Sequence, residues 1–342
     1  MSDSLRIGVI GAGWFASRRH CPDIQEHPRA EMTALCRRDP QMLAKMADHF
    51  GVQDTFTDYR ELVGSGGVDA VLVCSPHDLH YEHSVAALEA GLHVLLEKPV
   101  TTTAEDGHKL AALAQDKGKA LIVAQNPPFW SHCRYLRDVA ENGTLGEIEA
   151  AHIHWVGNAL GVLGLEDLPE SMPGVVPPTL FRNDPGKNGG GFFTDGGSHL
   201  LCELLWCLQR RVVEVTAQMD RADWDVRASL GLRLDNGALA TVSCTADSQI
   251  RAKRQHSLYY GSEATVELRG FPFELKVLPQ DGGSVTRRED ELPAAPTPVD
   301  NLVACALDGG APAIDPAEAV HLVEILEAAY RSAATGAAVK IP

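Results

Sequence analysis

Positive charge is scarce in this chain of 342 residues: 30 lysines and arginines face 46 aspartates and glutamates, for a formal net charge of −16. Such a surface repels a nucleic-acid backbone and an anionic membrane, which argues against both as partners. No apolar run approaches the ~18 residues of a membrane span. The opening MSDSLRIGVIGAG lacks a basic stretch and a small-residue cleavage site, so a cytoplasmic location is expected. The eight cysteines (Cys21, Cys36, Cys74, Cys133, Cys202, Cys207, Cys244 and Cys305) form no C-x-x-C pair. Several sit in apolar runs such as VLVCS, which reads as reduced, buried thiols. Internal repeats and low-complexity tracts are missing as well. What remains is ordinary globular composition, 44% hydrophobic and 22% charged. The length suits about two domains and a large core built without disulfides.

The first 125 residues alternate short β-branched runs with helical segments. Strands are expected over 6–10, 32–36, 69–74, 93–96 and 120–124, and helices to about 27 and over 40–50, 80–90 and 104–117. That alternation predicts a doubly wound parallel sheet, whose strands read as apolar runs because both faces are covered. Pro127 and Pro128 then break the pattern. A helix over about 134–142, a strand over 147–156 and a helix over 198–208 follow. Residues 157–191 form a glycine- and proline-rich excursion, and loops of that length are often lids or binding loops. Later strands at 213–219, 228–234, 238–246, 257–260, 265–269 and 274–278 suggest a largely antiparallel sheet, with Asn236-Gly237 as a hairpin turn. The PAAPTP stretch reads as a loop, and a last helix covers about 317–333. The expected domains are 1–125, for a dinucleotide, and 126–342, an α/β domain for substrate and self-association.

GVIGAGWFA carries G-x-G-x-x-A as Gly11, Gly13 and Ala16, directly after the first strand. Gly11 permits the tight turn, Gly13 lets the backbone approach a pyrophosphate, and Ala16 keeps the helix close to the sheet. Trp14 and Phe15 share the turn and are candidate cofactor contacts. At the end of the second strand an NAD enzyme places an acid for the ribose hydroxyl. Here the segment is ALCRRDP, with Arg37 and Arg38 at that place. Guanidinium groups grip a phosphate dianion, so NADP is the expected cofactor. The alternative is a pair of solvated arginines, with Asp39 serving NAD.

Two further segments carry chemistry. VLLEKPV ends the fourth expected strand with Glu97 and Lys98, at the carboxyl end of a parallel strand, where open sheets bind ligands. A lysine there can donate to a substrate oxygen. In GGGFFTDGGSHLLCELLW, Asp195 and His199 are four apart, a spacing that puts both on one helical face. A carboxylate can orient an imidazole that exchanges a proton near neutral pH. The bland alternative is an N-capping aspartate and a helix histidine.

With the glycine turn, EKP and D-x-G-x-H in this order, the chain resembles the Gfo/Idh/MocA family of sugar and cyclitol oxidoreductases over essentially its whole length. The resemblance implies a Rossmann domain followed by a domain with a large open sheet, and a homodimer or homotetramer through that sheet. It implies hydride transfer between a hydroxyl-bearing carbon and a nicotinamide. Lys98 then matches the lysine that polarises the reacting oxygen, Asp195 the aspartate that binds substrate hydroxyls, and His199 the general base or acid. Glu97, Ser75, Pro76 and His80 match cofactor-contact positions, and the Lys98–Pro99 bond is often cis in relatives. Asn126 falls at a position expected to meet cofactor and substrate. Departures from the family pattern cluster where substrate is selected: Cys202 where an acid is common, Pro127 after Asn126, and His77 after Ser75-Pro76. Arg182, in FRNDP, and His154 are candidate substrate contacts. His77, His80 and His83, and separately His152 and His154, have spacings that metal ligands can use, but no completing ligand set is evident and no metal is expected. The reading is an NADP-preferring oxidoreductase of a sugar, cyclitol or derivative. Its rivals are a redox-neutral glycoside-cleaving enzyme with a tightly bound nicotinamide, and a non-catalytic NADP-binding regulator.

Overall fold

The computed structural model describes residues 3–167 and 174–342. The part of the long excursion at 168–173 lies outside the described residues. The chain forms two compact units, and neither is continuous in sequence. The first takes Met1–Ala124, Asp167–Gly189 and Pro296–Val323; the second takes Gln125–Glu166, Gly190–Ala295 and Glu324–Pro342. A boundary thus falls at Ala124/Gln125, next to the expected one, while two later segments return to the first unit.

In the first unit six parallel strands run β1 (Leu5–Ile10), β2 (Ala30–Cys36), β3 (Asp54–Phe56), β4 (Ala70–Val73), β5 (His93–Leu96) and β6 (Leu121–Val123). Their order across the sheet is β3-β2-β1-β4-β5-β6. This is the doubly wound arrangement, and its direction reverses between β1 and β4, where such sheets open a crevice at the strands' carboxyl ends. Ile7, Val9, Leu35, Val71, Leu95 and Ile122 are fully buried, as strands covered on both faces require. Helix Pro40–Phe50 starts on Asp39, whose carboxylate accepts from the Gln41 and Met42 amides, and stops at Gly51 in the left-handed region (φ 71°). Helix Ala104–Lys117 starts on Thr103 and stops at Gly118 in the same way. β3 and the short helix Tyr59–Gly64 were not foreseen: three residues, two of them exposed, carry no hydrophobic period. Helix Pro298–Leu307 was also unforeseen. It sits just past the proline-rich stretch, starts on a Thr297/Asp300 capping box, and packs Val299, Leu302 and Val303 against β1, β5 and β6.

The second unit holds a nine-stranded sheet. Its strands are β7 (Ile148–Val156), β8 (Val212–Met219), β9 (Arg227–Leu234), β10 (Leu239–Thr245), β11 (Arg254–Gly261), β12 (Ala264–Gly270), β13 (Glu274–Pro279), β14 (Val285–Arg288) and β15 (Val339–Lys340). The order is β14-β13-β12-β11-β7-β10-β9-β8-β15. Pairing is antiparallel as expected, except that β7 and β10 run parallel. Burial alternates along β9, β10 and β11, so one face is covered and the other open. Helices Ser131–Glu141 and Ser198–Leu208 pack on each other, and the latter packs on β7. No helix of the described residues is long and apolar enough to cross a membrane.

Candidate active site

The crevice of the first unit opens into a cavity of about 560 Å³ beside the glycine turn. Gly11 has φ +75°, and a Cβ there would lie 2.5 Å from the Ser75 backbone nitrogen. A side chain would therefore force apart the turns that follow β1 and β4. The Gly11 and Ala12 amides donate to the Cys36 carbonyl, which ties the turn to the end of β2. Gly11, Gly13, Trp14 and Phe15 all line the cavity, as do Ser75, Pro76 and Glu97.

Arg37 and Arg38 line it too. Arg37 is half-buried and donates from Nη1 to the Ala12 carbonyl at 2.9 Å. Its buried Nε has no hydrogen-bond partner. Burial holds its pKa below the usual arginine value, yet no ordinary pH removes that charge. Asp39 lines the same region, but its Oδ1 already accepts from the first amides of its helix, at 3.0 and 3.1 Å.

Beyond the arginines the wall is made of Tyr59, Arg60 and Glu82, which the sequence did not single out, and of His83, noted there only for a metal-type spacing. The Tyr59 hydroxyl donates to Glu82 at 2.6 Å, and Arg60 pairs with Glu82 at 2.7 Å. The Tyr59 ring lies 4.3 Å from that of His83, whose Nδ1 meets the Ser75 hydroxyl at 2.9 Å. Burial drives the His83 pKa down to about 4, so its ring is neutral at ordinary pH. Because β3 and the helix after it carried no signal, Tyr59 and Arg60 were illegible, whereas Glu82 and His83 ride on the helix expected over 80–90.

At the other end, Glu97 pairs with His20 at 2.6 Å, both buried. His20 lies on a π-helical turn, Ala16–His20, that follows the glycine motif, and no motif pointed to it. Lys98 is buried, and the Lys98–Pro99 bond is cis. His80 differs from expectation: it is fully buried and is not among the cavity's lining residues. Its Nδ1 faces the Pro99 carbonyl at 2.7 Å and its Nε2 the Ser75 carbonyl at 3.0 Å. Burial lowers its pKa, and a neutral ring donates to one of these two carbonyls. It therefore braces the turns that carry Ser75 and Lys98. His77, His80 and His83 do not converge on one point: His77 meets the Asn188 carbonyl at 3.0 Å and the others bond as described.

In the second unit the histidine motif is held from beneath. A Cβ on Gly191 would lie 2.1 Å from the Asp225 backbone nitrogen, and one on Gly190 2.4 Å from the Tyr330 hydroxyl. Asp225 accepts from the Phe193 amide at 2.9 Å and from the Tyr330 hydroxyl at 2.6 Å. Burial raises the Asp225 pKa to about 6. Asp195 follows in a π-helical turn, Phe193–Gly197, and the α-helix begins at Ser198. The one-face argument from a four-residue spacing assumes an α-helix and does not carry across this turn. Asp195 is buried. His199 is half-buried, with its Nε2 3.3 Å from the Asn126 side-chain amide and its ring 6.0 Å from that of Trp130. Asn126 thus belongs to the histidine's surroundings.

His154 is placed differently from expectation. On β7 the covered face presents Ile153 and Trp155, and Trp155 stacks on Phe192 beside the histidine motif. His154 alternates onto the open face, where its Nδ1 meets the Ser243 hydroxyl at 2.7 Å. Glu203, next to Cys202, is fully buried and accepts from Gln255, Ser257 and Tyr259. Among the described residues His132, Cys133 and Glu203 bring ligand-type atoms within 4.8 Å of one another. The His132 ring is stacked 3.6 Å from that of Phe273, in a packed interior.

The oxidoreductase family model GFO_IDH_MocA, with an NAD-binding Rossmann fold, matches residues 5–125, and the GFO/IDH/MocA C-terminal domain matches 133–267. D-glucoside 3-dehydrogenase of Escherichia coli (strain K12) is 31% identical over 207 residues, covering 60% of this chain and 55% of that protein. D-xylose 1-dehydrogenase (NADP(+)) 2 of Haloferax volcanii is 26% identical over 344 residues, covering 98% of this chain and all of that protein. The chain spans about half the length of several other curated relatives it matches. The crystal structure of an oxidoreductase domain protein from Kribbella flavida shares the fold, with a TM-score of 0.85 at 22% identity over the whole of both chains. Both halves of the chain thus match one family's models, and the chain belongs to the Gfo/Idh/MocA family of oxidoreductases.

Proposed function

We propose that the protein is an NADP-preferring oxidoreductase that moves a hydride between nicotinamide and a secondary alcohol or ketone of a sugar, cyclitol or derivative. The observation that carries the cofactor reading is Arg37. A buried guanidinium N–H without a partner, on a cavity beside the glycine turn, suits the 2′-phosphate. Asp39, the rival reader of a plain ribose, is engaged in capping its helix. When bound, the nicotinamide supplies the hydride acceptor or donor.

The acid–base work falls to this chain's own groups. In oxidation His199 takes the hydroxyl proton, and its contact with Asn126 fixes the ring's orientation. Lys98 donates to the oxygen as negative charge develops there. Asp195 accepts from a neighbouring hydroxyl and so orients the substrate. The acceleration comes mainly from positioning and preorganised charge. A homodimer or homotetramer through the open face of the nine-stranded sheet belongs to the same reading.

The test is nicotinamide absorbance with pooled sugars, cyclitols and sugar acids, run in parallel with NADP⁺ and NAD⁺. Reduction that favours NADP⁺ is expected, and splitting the pools then names the substrate. Equal rates with NAD⁺ would remove the role of Arg37. No reduction on any pool, with no oxidation of NADPH by the corresponding ketones, would overturn the dehydrogenase reading.

A further inference from the structure

The long excursion does not end where a substrate loop would be expected to end. Its later part, 174–189, belongs to the first unit, the one that carries the glycine turn. It is fastened at both ends. The Val176 amide donates to the Ser17 hydroxyl at 3.2 Å, just past the glycine motif. At the far end the Asn188 carbonyl meets His77 Nδ1 at 3.0 Å, just past Ser75-Pro76. The segment thus bridges from the turn after β1 to the turn after β4, the two turns that form the mouth of the crevice.

Between these anchors, Pro178, Thr179, Phe181 and Arg182 line the same cavity as Gly13 and Arg37. The Phe181 ring meets His77 edge-on at 4.9 Å, and the Arg182 guanidinium lies 4.5 Å over the Phe181 ring. Leu180, between them in sequence, is 59% exposed, so the segment has an outer side and a cavity side. On the cavity wall Asp58 and Glu82 hold Arg60, while Asp39 caps its helix and Glu97 meets His20. Arg182 brings a cation to the cavity from the excursion, opposite in sign to a dinucleotide's phosphates.

We propose that segment 174–189 is a clasp over the dinucleotide, with Arg182 binding a cofactor phosphate and Phe181 covering the bound cofactor. This rests on the reading of the cavity as an NADP site. It moves Arg182 from the substrate to the cofactor. Its consequence is kinetic: the cofactor leaves only when the clasp parts from Ser17 and His77, so release is slow compared with an open crevice. A retained cofactor is also what a redox-neutral reaction requires, since the same nicotinamide must be reduced and reoxidised.

The test measures NADPH dissociation from the full chain, by loss of protein-bound NADPH fluorescence on mixing with excess NADP⁺. Arg182→Ala and Phe181→Ala are each expected to speed release at least about tenfold, the size of one lost charge-assisted contact. Arg182→Lys, which keeps charge without the planar fork, is expected to fall between. Leu180→Ala, on the outer side, is expected to release at the parental rate. Thermal unfolding of each variant without cofactor separates local from global damage; if Arg182→Ala fails to fold, Arg182→Lys and Phe181→Ala decide. Release within twofold of the parent in the folded variants overturns the clasp. A rise in substrate KM for Arg182→Ala with unchanged release would return that residue to substrate binding. A parent that binds neither NADPH nor NADH would instead sink the cofactor reading on which the clasp rests.

Discussion

At the scale of single residues, Arg37 and Lys98 carry the sharpest tests of the proposed chemistry. Arg37 sits at the end of β2 with one N–H on the Ala12 carbonyl and a buried Nε that lacks a partner. Replacing it by aspartate puts an acceptor where ribose hydroxyls would lie and repels a 2′-phosphate. Arg37→Asp is expected to shift the NADP/NAD ratio of kcat/KM toward NAD by about tenfold or more, one to two charge-assisted hydrogen bonds. An unchanged ratio would show that the phosphate is read elsewhere. Lys98 is buried at the carboxyl end of β5, beside Glu97. If it donates to the reacting oxygen, Lys98→Ala should cost ~10²-fold or more in kcat, the usual range for a positioned proton donor. A near-parental kcat would remove it from the mechanism. Both residues were legible in the sequence because a motif fixed their place. His20 and Tyr59 were not, since each sits on a short or irregular element that no periodicity marks. His80 and His154 were legible as residues but not in direction: which way a ring points depends on backbone carbonyls and strand register that sequence does not display.

At the scale of elements, the long periodic pieces were the readable ones. Helices Pro40–Phe50, Ala104–Lys117 and Ser198–Leu208 fall on their expected ranges, because a cap, an apolar stripe or a stop signal marks each. The π-helical turn that carries Asp195 was unreadable, since its cause is tertiary: Asp225 and Tyr330 come from distant segments to hold Gly190–Phe193. That support has a pH signature. Burial holds Asp225 near 6 in the folded protein, against ~3.9 when unfolded. A raised acid favours the folded state in its protonated form. Its contribution, on the order of 2–3 kcal/mol, is present below pH 4 and lost as pH rises through 6. Asp225→Asn cannot ionise and serves two donors with a single oxygen, so it should be less stable than the parent. The gap between parent and variant should narrow from pH 4 to pH 7, read as melting temperature against pH. Parallel curves would show that Asp225 does not titrate in this range.

At the scale of the whole molecule, the first unit is assembled from three separated stretches of chain. A contiguous nucleotide-binding domain ending at 125 is what the alternation of strands and helices suggests. That reading misses how the sheet is covered. Helix Pro298–Leu307 lays Val299, Leu302 and Val303 on β1, β5 and β6, and these side chains are fully buried or nearly so. Stripping them away would expose the central strand of the sheet, from which the glycine turn hangs. Leu302→Ala in the full chain is expected to cost about 2–5 kcal/mol, the range for a large-to-small change in a packed core. The diagnostic readout is where the loss appears. Amide exchange in Leu5–Ile10 and His93–Leu96 should accelerate, although these strands lie at the other end of the sequence. Cofactor affinity should weaken with it, because the glycine turn hangs from β1. If protection in those strands is unchanged while the helix itself opens, then residues 1–124 hold their sheet without help, and the discontinuous unit is a matter of contact rather than of stability.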